Sequence, residues 1–223
     1  MKRKSMRKGL RNCALAMSFL AAMSAGANDF TPKNPMTMWY NVPSTATGVK
    51  NVWMEYSLPI GNGQLGGSLF GGLNKDEIQF NEKTLWTGKT SDMQGYGGGY
   101  GQYKNFGSIY VEDLSGVFLP GKDGEVKDYV RSLDLQEGIG RVVCSSDQYM
   151  TSYDRTYFVS NPDKVMVARY TATGKKKLHL LFSFAPGRDI NASPVTYATD
   201  AGSLPYANFN GQLETVAYQA TMR

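Results

Sequence analysis

The chain has 223 residues, with 24 Lys and Arg against 19 Asp and Glu and a formal net charge of +5. Six of the basic residues precede Asn28, which leaves 18 basic against 19 acidic side chains, a net charge near −1, and none of the clustered positive charge that nucleic-acid binding requires. The single histidine and the single cysteine after residue 27 exclude a conventional zinc site and an internal disulfide from 28–223.

The first segment reads as an export signal. Lys2, Arg3, Lys4, Arg7, Lys8 and Arg11 make a basic start, 13–23 an apolar run, and Ala25-Gly26-Ala27 a small-residue cleavage site. The run is shorter than the ~20 apolar residues of a bilayer-spanning helix. Cys13 opens the run rather than following it, where a lipid-modified cysteine would be found. The expected organisation is a signal peptide at 1–27, cleaved near Ala27, and one mature domain at 28–223, secreted or periplasmic and without a membrane span.

Residues 54–88 carry the densest information. Gly61, Gly63, Gly66, Gly67, Gly71 and Gly72 surround Asn62, and Asn81-Glu82 leads to Leu85-Trp86-Thr87-Gly88. Gly61 to Gly66 spells GxGxxG, but a dinucleotide site needs a helix next, to hold the pyrophosphate on its amino terminus. A short apolar run bracketed by glycines follows instead, and reads as a strand.

Strands are predicted over 65–70, 77–81, 108–112, 129–135, 140–145, 149–160, 164–171, 178–184 and 213–221. These stretches are rich in Val, Ile, Tyr, Phe and Thr and are separated by turn residues such as Asn161-Pro162-Asp163. The 145–148 turn folds 140–145 back along 149–160 as a hairpin. No window of ~12 residues after position 27 shows a helical apolar period, and 123–130 has room for one short helical turn. In 178–184, Leu178, Leu180, Phe182 and Phe184 share a face that His179 opposes, which favours a hydrogen-bonded sheet histidine over a general base. Lys175-Lys176-Lys177 marks a solvated turn. Two stretches read as connections: the Gly/Tyr-rich 95–101, a flexible excursion or an aromatic loop for stacking on sugars, and 189–210, with Pro194, Gly202 and Pro205. Many short strands with regular turns predict an all-β fold, a large antiparallel two-sheet sandwich. The run 213–223 reads as a strand with no following element, so the sandwich is expected to be incomplete.

The motifs LPIGNGQLG at 58–66, FGG at 70–72 and NEKTLWTG at 81–88 resemble the amino-terminal domain of glycoside hydrolase family 95, the α-L-fucosidases and their α-L-galactosidase relatives. The segments 103–110, 129–135 and 157–165 extend that resemblance in order over most of 38–185. The family often has Arg where Gln64 stands and Ser where Thr87 stands. The resemblance implies a longer enzyme, with the rest of the sandwich, a linker, an (α/α)6 barrel and a small β domain. It implies fucose-containing glycans as substrate; no cofactor is expected, and no metal, since no Asp-rich loop of EF-hand spacing accompanies the single histidine and cysteine. The family's general acid and asparagine-assisted base lie in the barrel, and no position here matches either motif, so no catalytic residue carries over. The substrate-binding candidates are Asn62, Gln64, Asn81, Glu82 and Trp86, on two segments expected to converge at one rim of the sandwich.

Two function classes stay open. The chain is the accessory piece of a fucosidase-like enzyme, or a non-catalytic carbohydrate-binding module that stacks sugars on Trp39, Trp53, Trp86 and the Tyr-rich loop. A catalytic carboxylate pair of its own would have to come from Glu55 and Glu82, which flank the Gly-rich hairpin.

Overall fold

In the computed structural model, residues 30–44, 50–88, 101–118, 126–188, 190–202 and 204–223 are described. The segment 1–27, expected to be an export signal, and positions 95–100 of the Gly/Tyr-rich stretch lie outside them. The strands in chain order are β1 (Thr37–Tyr40), β2 (Leu58–Gly61), β3 (Leu65–Leu69), β4 (Lys75–Glu82), β5 (Gly107–Asp113), β6 (Lys127–Asp134), β7 (Ile139–Ser146), β8 (Thr151–Val159), β9 (Met166–Gly174), β10 (Leu180–Pro186), β11 (Thr196–Thr199), β12 (Pro205–Gln212) and β13 (Ala217–Met222). A single helical turn, α1 (Val52–Glu55), is capped by the Asn51 side chain, which accepts from the Met54 amide at 3.2 Å.

All strand pairs are antiparallel. Sheet A runs β1-β6-β7-β8-β9, sheet B runs β10-β5-β4-β3-β2, and a third sheet runs β11-β12-β13. The order places Pro59 on the edge strand β2, where its missing amide breaks no central ladder, and Pro205 at the first position of β12. The dinucleotide pattern leads straight into β3, so no helix amino terminus is there to hold a pyrophosphate.

One row shows how sequence alternation becomes core. Leu58 lies opposite Leu69, Leu69 opposite Ile78, Ile78 opposite Ile109 and Ile109 opposite Phe184, so a single apolar line crosses all of sheet B. That face packs on Leu133, Val142, Cys144 and Tyr157 of sheet A. The third sheet packs against the same face farther along, where Phe209 meets Phe184 with ring centroids 4.8 Å apart and Phe106 at 6.0 Å. Burial pushes the Cys144 thiol up to about 11, so it fills core space and is no nucleophile at neutral pH.

A polar cluster is sealed inside this core. Asp76 and Arg155 are 1% and 5% exposed. Asp76 Oδ1 accepts from the Gly72 and Glu77 amides at 3.0 Å each, and Oδ2 accepts from the Tyr157 hydroxyl at 2.7 Å. Arg155 Nη1 stands 3.5 Å from Asp76 Oδ2, and its guanidinium donates to the carbonyls of Gly72 at 2.5 Å and Leu73 at 3.0 Å. One ion pair thus ties β8 of sheet A to β4 and the β3–β4 turn of sheet B. Burial and the neighbouring Asp76 both raise the Tyr157 hydroxyl, which stays protonated and donates.

Several expectations are corrected. The proposed helical turn at 123–130 meets β6 from Lys127 onward, because Tyr129, Arg131 and Leu133 alternate into the core after a register shift between Lys127 and Val130. The long connection at 189–210 contains β11 and most of β12, closed by Asp200, whose amide donates to the Leu204 carbonyl at 3.0 Å while its carboxylate accepts from the Gly202 and Leu204 amides. The last predicted strand begins at Ala217, since Leu213 and Val216 close a turn at 2.9 Å. His179 precedes β10 and is exposed, and its carbonyl accepts from the Leu114 amide at 2.7 Å. β1 and β2 form strands from sequence that carries no clear alternation.

Candidate functional site

The Gly-rich hairpin is shaped by Asn62. Its Oδ1 accepts from the Gln64 and Leu65 amides at 2.9 and 2.8 Å, an Asx-type turn that Gly63 completes at φ 85°. Its Nδ2 donates to the Ser160 carbonyl at 2.7 Å, across to the β8–β9 turn of sheet A. Asn62 is therefore a clamp between the two sheets, with both ends of its amide occupied by protein.

The second motif segment joins that turn directly. Glu82 lies opposite Leu65, and the Lys83 amide donates to the Gln64 carbonyl at 3.0 Å. The 61–66 turn and the start of 81–88 therefore share one end of sheet B, as the convergence expected from sequence requires. Gln64, Glu82 and Thr84 line a small cavity of about 260 Å³ with Leu85, Phe106 and residues 216–219. Glu82 Oε2 accepts from the Thr84 amide at 2.7 Å and from the Thr84 hydroxyl, while its Oε1 is buried without a hydrogen-bond partner.

The remaining two candidates diverge from this cavity. Asn81 stands opposite Gly66 on the other face of β4, one residue out of phase with Glu82, and its Oδ1 accepts from the Glu82 amide at 2.9 Å. Trp86 lies beyond the strand end. Its ring meets Tyr103 edge-on with centroids 4.5 Å apart at 86°, and the two residues form an antiparallel bridge. Thr87 and Lys104 amides bond the Gln102 and Leu85 carbonyls at 3.0 and 3.2 Å on either side. Both rings stay partly open, at 36% for Trp86 and 57% for Tyr103. Tyr103 was not legible as a site residue, because its partner is 17 positions away and no periodicity links them.

Glu55 and Glu82 are not brought together. Glu55 is exposed on α1, before the Leu58 end of β2, whereas Glu82 sits by the Gly61 end. Among the described residues, no group of three or more His, Cys, Asp or Glu could hold a metal ion, and no helix is long and apolar enough to cross a membrane.

The model of a known family, described as glycosyl hydrolase family 65, N-terminal domain, matches residues 38–98 and 89–222. The chain is similar to alpha-L-fucosidase 2 of Arabidopsis thaliana, 27% identical over 172 residues that make up 63% of this chain and 19% of that protein. It is also similar to a probable alpha-fucosidase A of Aspergillus niger, 26% identical over 192 residues, 72% of this chain and 21% of that protein. The chain thus spans about a fifth of the length of these curated relatives.

Proposed function

The chain belongs to the glycosyl hydrolase family 65 N-terminal domain family, and from that premise we propose that it is the accessory domain of an exported enzyme of the family 95 type, acting in complete form on α-L-fucosidic bonds of glycans. The two relatives are named as fucosidases, which supports the substrate class. The observation that carries the reading is the rim itself: Asn62 and Glu82 segments, the two motifs of the resemblance, are stitched together at one end of sheet B. In this reading the rim faces the (α/α)6 barrel that bears the catalytic acid and base. Asn62 and Asn81 shape it, while Gln64, Glu82 and Trp86 reach the glycan or the barrel loops that hold it. Export follows from the basic-apolar-small pattern of 1–27.

The test is hydrolysis of an aryl α-L-fucoside by the full chain. No turnover is expected, since neither catalytic motif is present, and turnover that disappears in Glu82→Gln would overturn the reading. A stand-alone sugar-binding module is the second reading, favoured by the partly open Trp86–Tyr103 pair. Titration with L-fucose, followed at the Trp86 indole NMR resonance, separates the two: a saturable shift supports the module, and no shift supports the accessory domain.

A further inference from the structure

The two sheets turn different outer faces away from the core. On sheet A the outward residues Arg141, Ser152, Phe158, Arg169 and Thr173 are exposed, as on the solvated side of a sandwich. On sheet B exposure is confined to the margins, at Pro59, Gly61, Lys75 and Leu181, and the centre is withdrawn although it is polar. Register places that centre. Ser68 lies opposite Gln79 and Gln79 opposite Ser108, with Gly66 opposite Asn81 on one side of this row and Glu77 opposite Tyr110 on the other. All are out of phase with the core row through Ile78, so all point away from the core. Ser108 is 7% exposed and the rest are half-buried.

Nothing in the fold requires a glycine at position 66. Its φ lies outside the left-handed region, and among the described residues a Cβ there would meet only the Ile60 carbonyl oxygen, at an ordinary 3.8 Å. Its neighbour Gly67, on the core side, would put a Cβ 2.6 Å from Met166 Cε. Packing therefore accounts for Gly67 and leaves Gly66, an interior strand glycine of the kind that marks close approach of a ligand to the backbone.

The side chains beside Gly66 have hydrogen bonds to give. Among the described residues the Gln79 amide has no partner, and Asn81 uses only its oxygen, toward the Glu82 amide, so its Nδ2 keeps both donors. Glu77 Oε1 accepts from the Ser108 hydroxyl at 2.8 Å, which leaves its second oxygen. Gln79 and Asn81 stand two residues apart on one strand, about 7 Å, the span of one sugar ring. Amides that both donate and accept match hydroxyls. A polyanion would face Glu77 and Glu112, with Lys75 as the one cation among the described residues of this face, already 4.6 Å over the Tyr110 ring. A lipid or a protein hot spot would need an apolar centre, which this face lacks.

We propose that the outer face of sheet B is a binding site for a neutral glycan, one of whose rings lies on Gly66 and Ser68 while its hydroxyls pair with Gln79, Asn81 and Glu77. The site goes beyond the rim, because it lies on the opposite side of β4 from Glu82 and the small cavity. It rests on the proposed function only for the choice of probe.

The experiment titrates the full chain with 2′-fucosyllactose, a neutral trisaccharide, and follows the side-chain amide NMR resonances of Gln79 and Asn81. A saturable shift is expected. Affinity should fall at least about tenfold in Gln79→Ala, which removes hydrogen bonds to the sugar, and as far in Gly66→Val, which fills the floor. Room for a Cβ at Gly66 and the strand preference of Val keep that variant folded, which one cooperative melt verifies. No shift at either amide overturns the proposal, and so does a shift that both variants leave unchanged. A shift confined to Gln64 and Trp86 overturns it as well, by placing the sugar at the rim. The rim has its own tests in fucoside turnover and the Trp86 resonance, so either reading can fail without the other.

Discussion

Replacing Asp76 by Asn tests whether the sealed ion pair is what fixes the two sheets against each other. The substitution keeps the shape and leaves Oδ1 free to accept from the Gly72 and Glu77 amides. It turns the acceptor that faces Tyr157 and Arg155 into a donor and leaves a guanidinium that is 5% exposed without its counter-charge. Removing one partner of a buried pair costs about 3–5 kcal/mol, and for a chain of this size about 2–4 °C in Tm accompanies each kcal/mol, so a fall of roughly 6–20 °C is expected. Arg155→Met should cost less, about 2–4 kcal/mol, because Asp76 keeps three donors while the Gly72 and Leu73 carbonyls lose theirs. Urea unfolding at neutral pH reads both, with an unchanged slope showing that stability alone has moved. The double variant should lose less than the sum of the singles, since each removes the same contact. A cost below about 1 kcal/mol for Asp76→Asn, or strict additivity, would refute the claim that the pair is desolvated and shared between sheets.

Alkaline pH should weaken the fold. Burial raises the Cys144 thiol from its ordinary 9.0 up to about 11 and raises the hydroxyls of Tyr129, Tyr157 and Tyr170 as well. The unfolded chain gives up these protons first, so stability is whole below about pH 9 and is lost as pH climbs toward the folded values; a urea midpoint that stays flat from about pH 8 to about pH 10.5 would contradict this. Asn62→Ala removes the bond to the Ser160 carbonyl and the Asx turn, and should cost about 1–3 kcal/mol; thermal unfolding checks it, and an unchanged Tm would mean the hairpin is held by Gly63 and the ladder alone. Gly101→Ala would put a Cβ 1.4 Å from the Thr87 carbonyl oxygen and 2.4 Å from Trp86 Nε1 at φ +76°. Tryptophan fluorescence should report the displaced Trp86–Tyr103 pair, and a spectrum identical to the parent would show that the segment yields without moving the indole.

The sequence by itself determined the class of fold, most of the strands of sheets A and B, the β7–β8 hairpin (with its turn two residues later, at 147–150, than the expected 145–148) and a glycoside hydrolase amino-terminal domain. All of these rest on local signals: period-two alternation, turn residues, and motifs that lie contiguous along the chain. It also set the two site segments apart as polar and Gly-flanked. Where they meet was decided by register. Leu65 opposite Glu82 brings Gln64 and Glu82 to one cavity, while the pleat turns Asn81 to the other face of the same strand. The same holds for Asp76 and Arg155, separated by 79 positions and joined only because β4 and β8 lie in facing sheets. β12 escaped notice because Pro205, Asn208, Asn210 and Gly211 read as loop, and the strand exists because Ala207 and Phe209 find Phe106 and Phe184 to pack on. Trp86 was visible as an aromatic, but its Tyr103 partner was not, since a contact between two loop segments leaves no period in either one. Local chemistry is written along the chain, whereas pairing across sheets is an energy shared between distant residues, and only the folded structure assigns it.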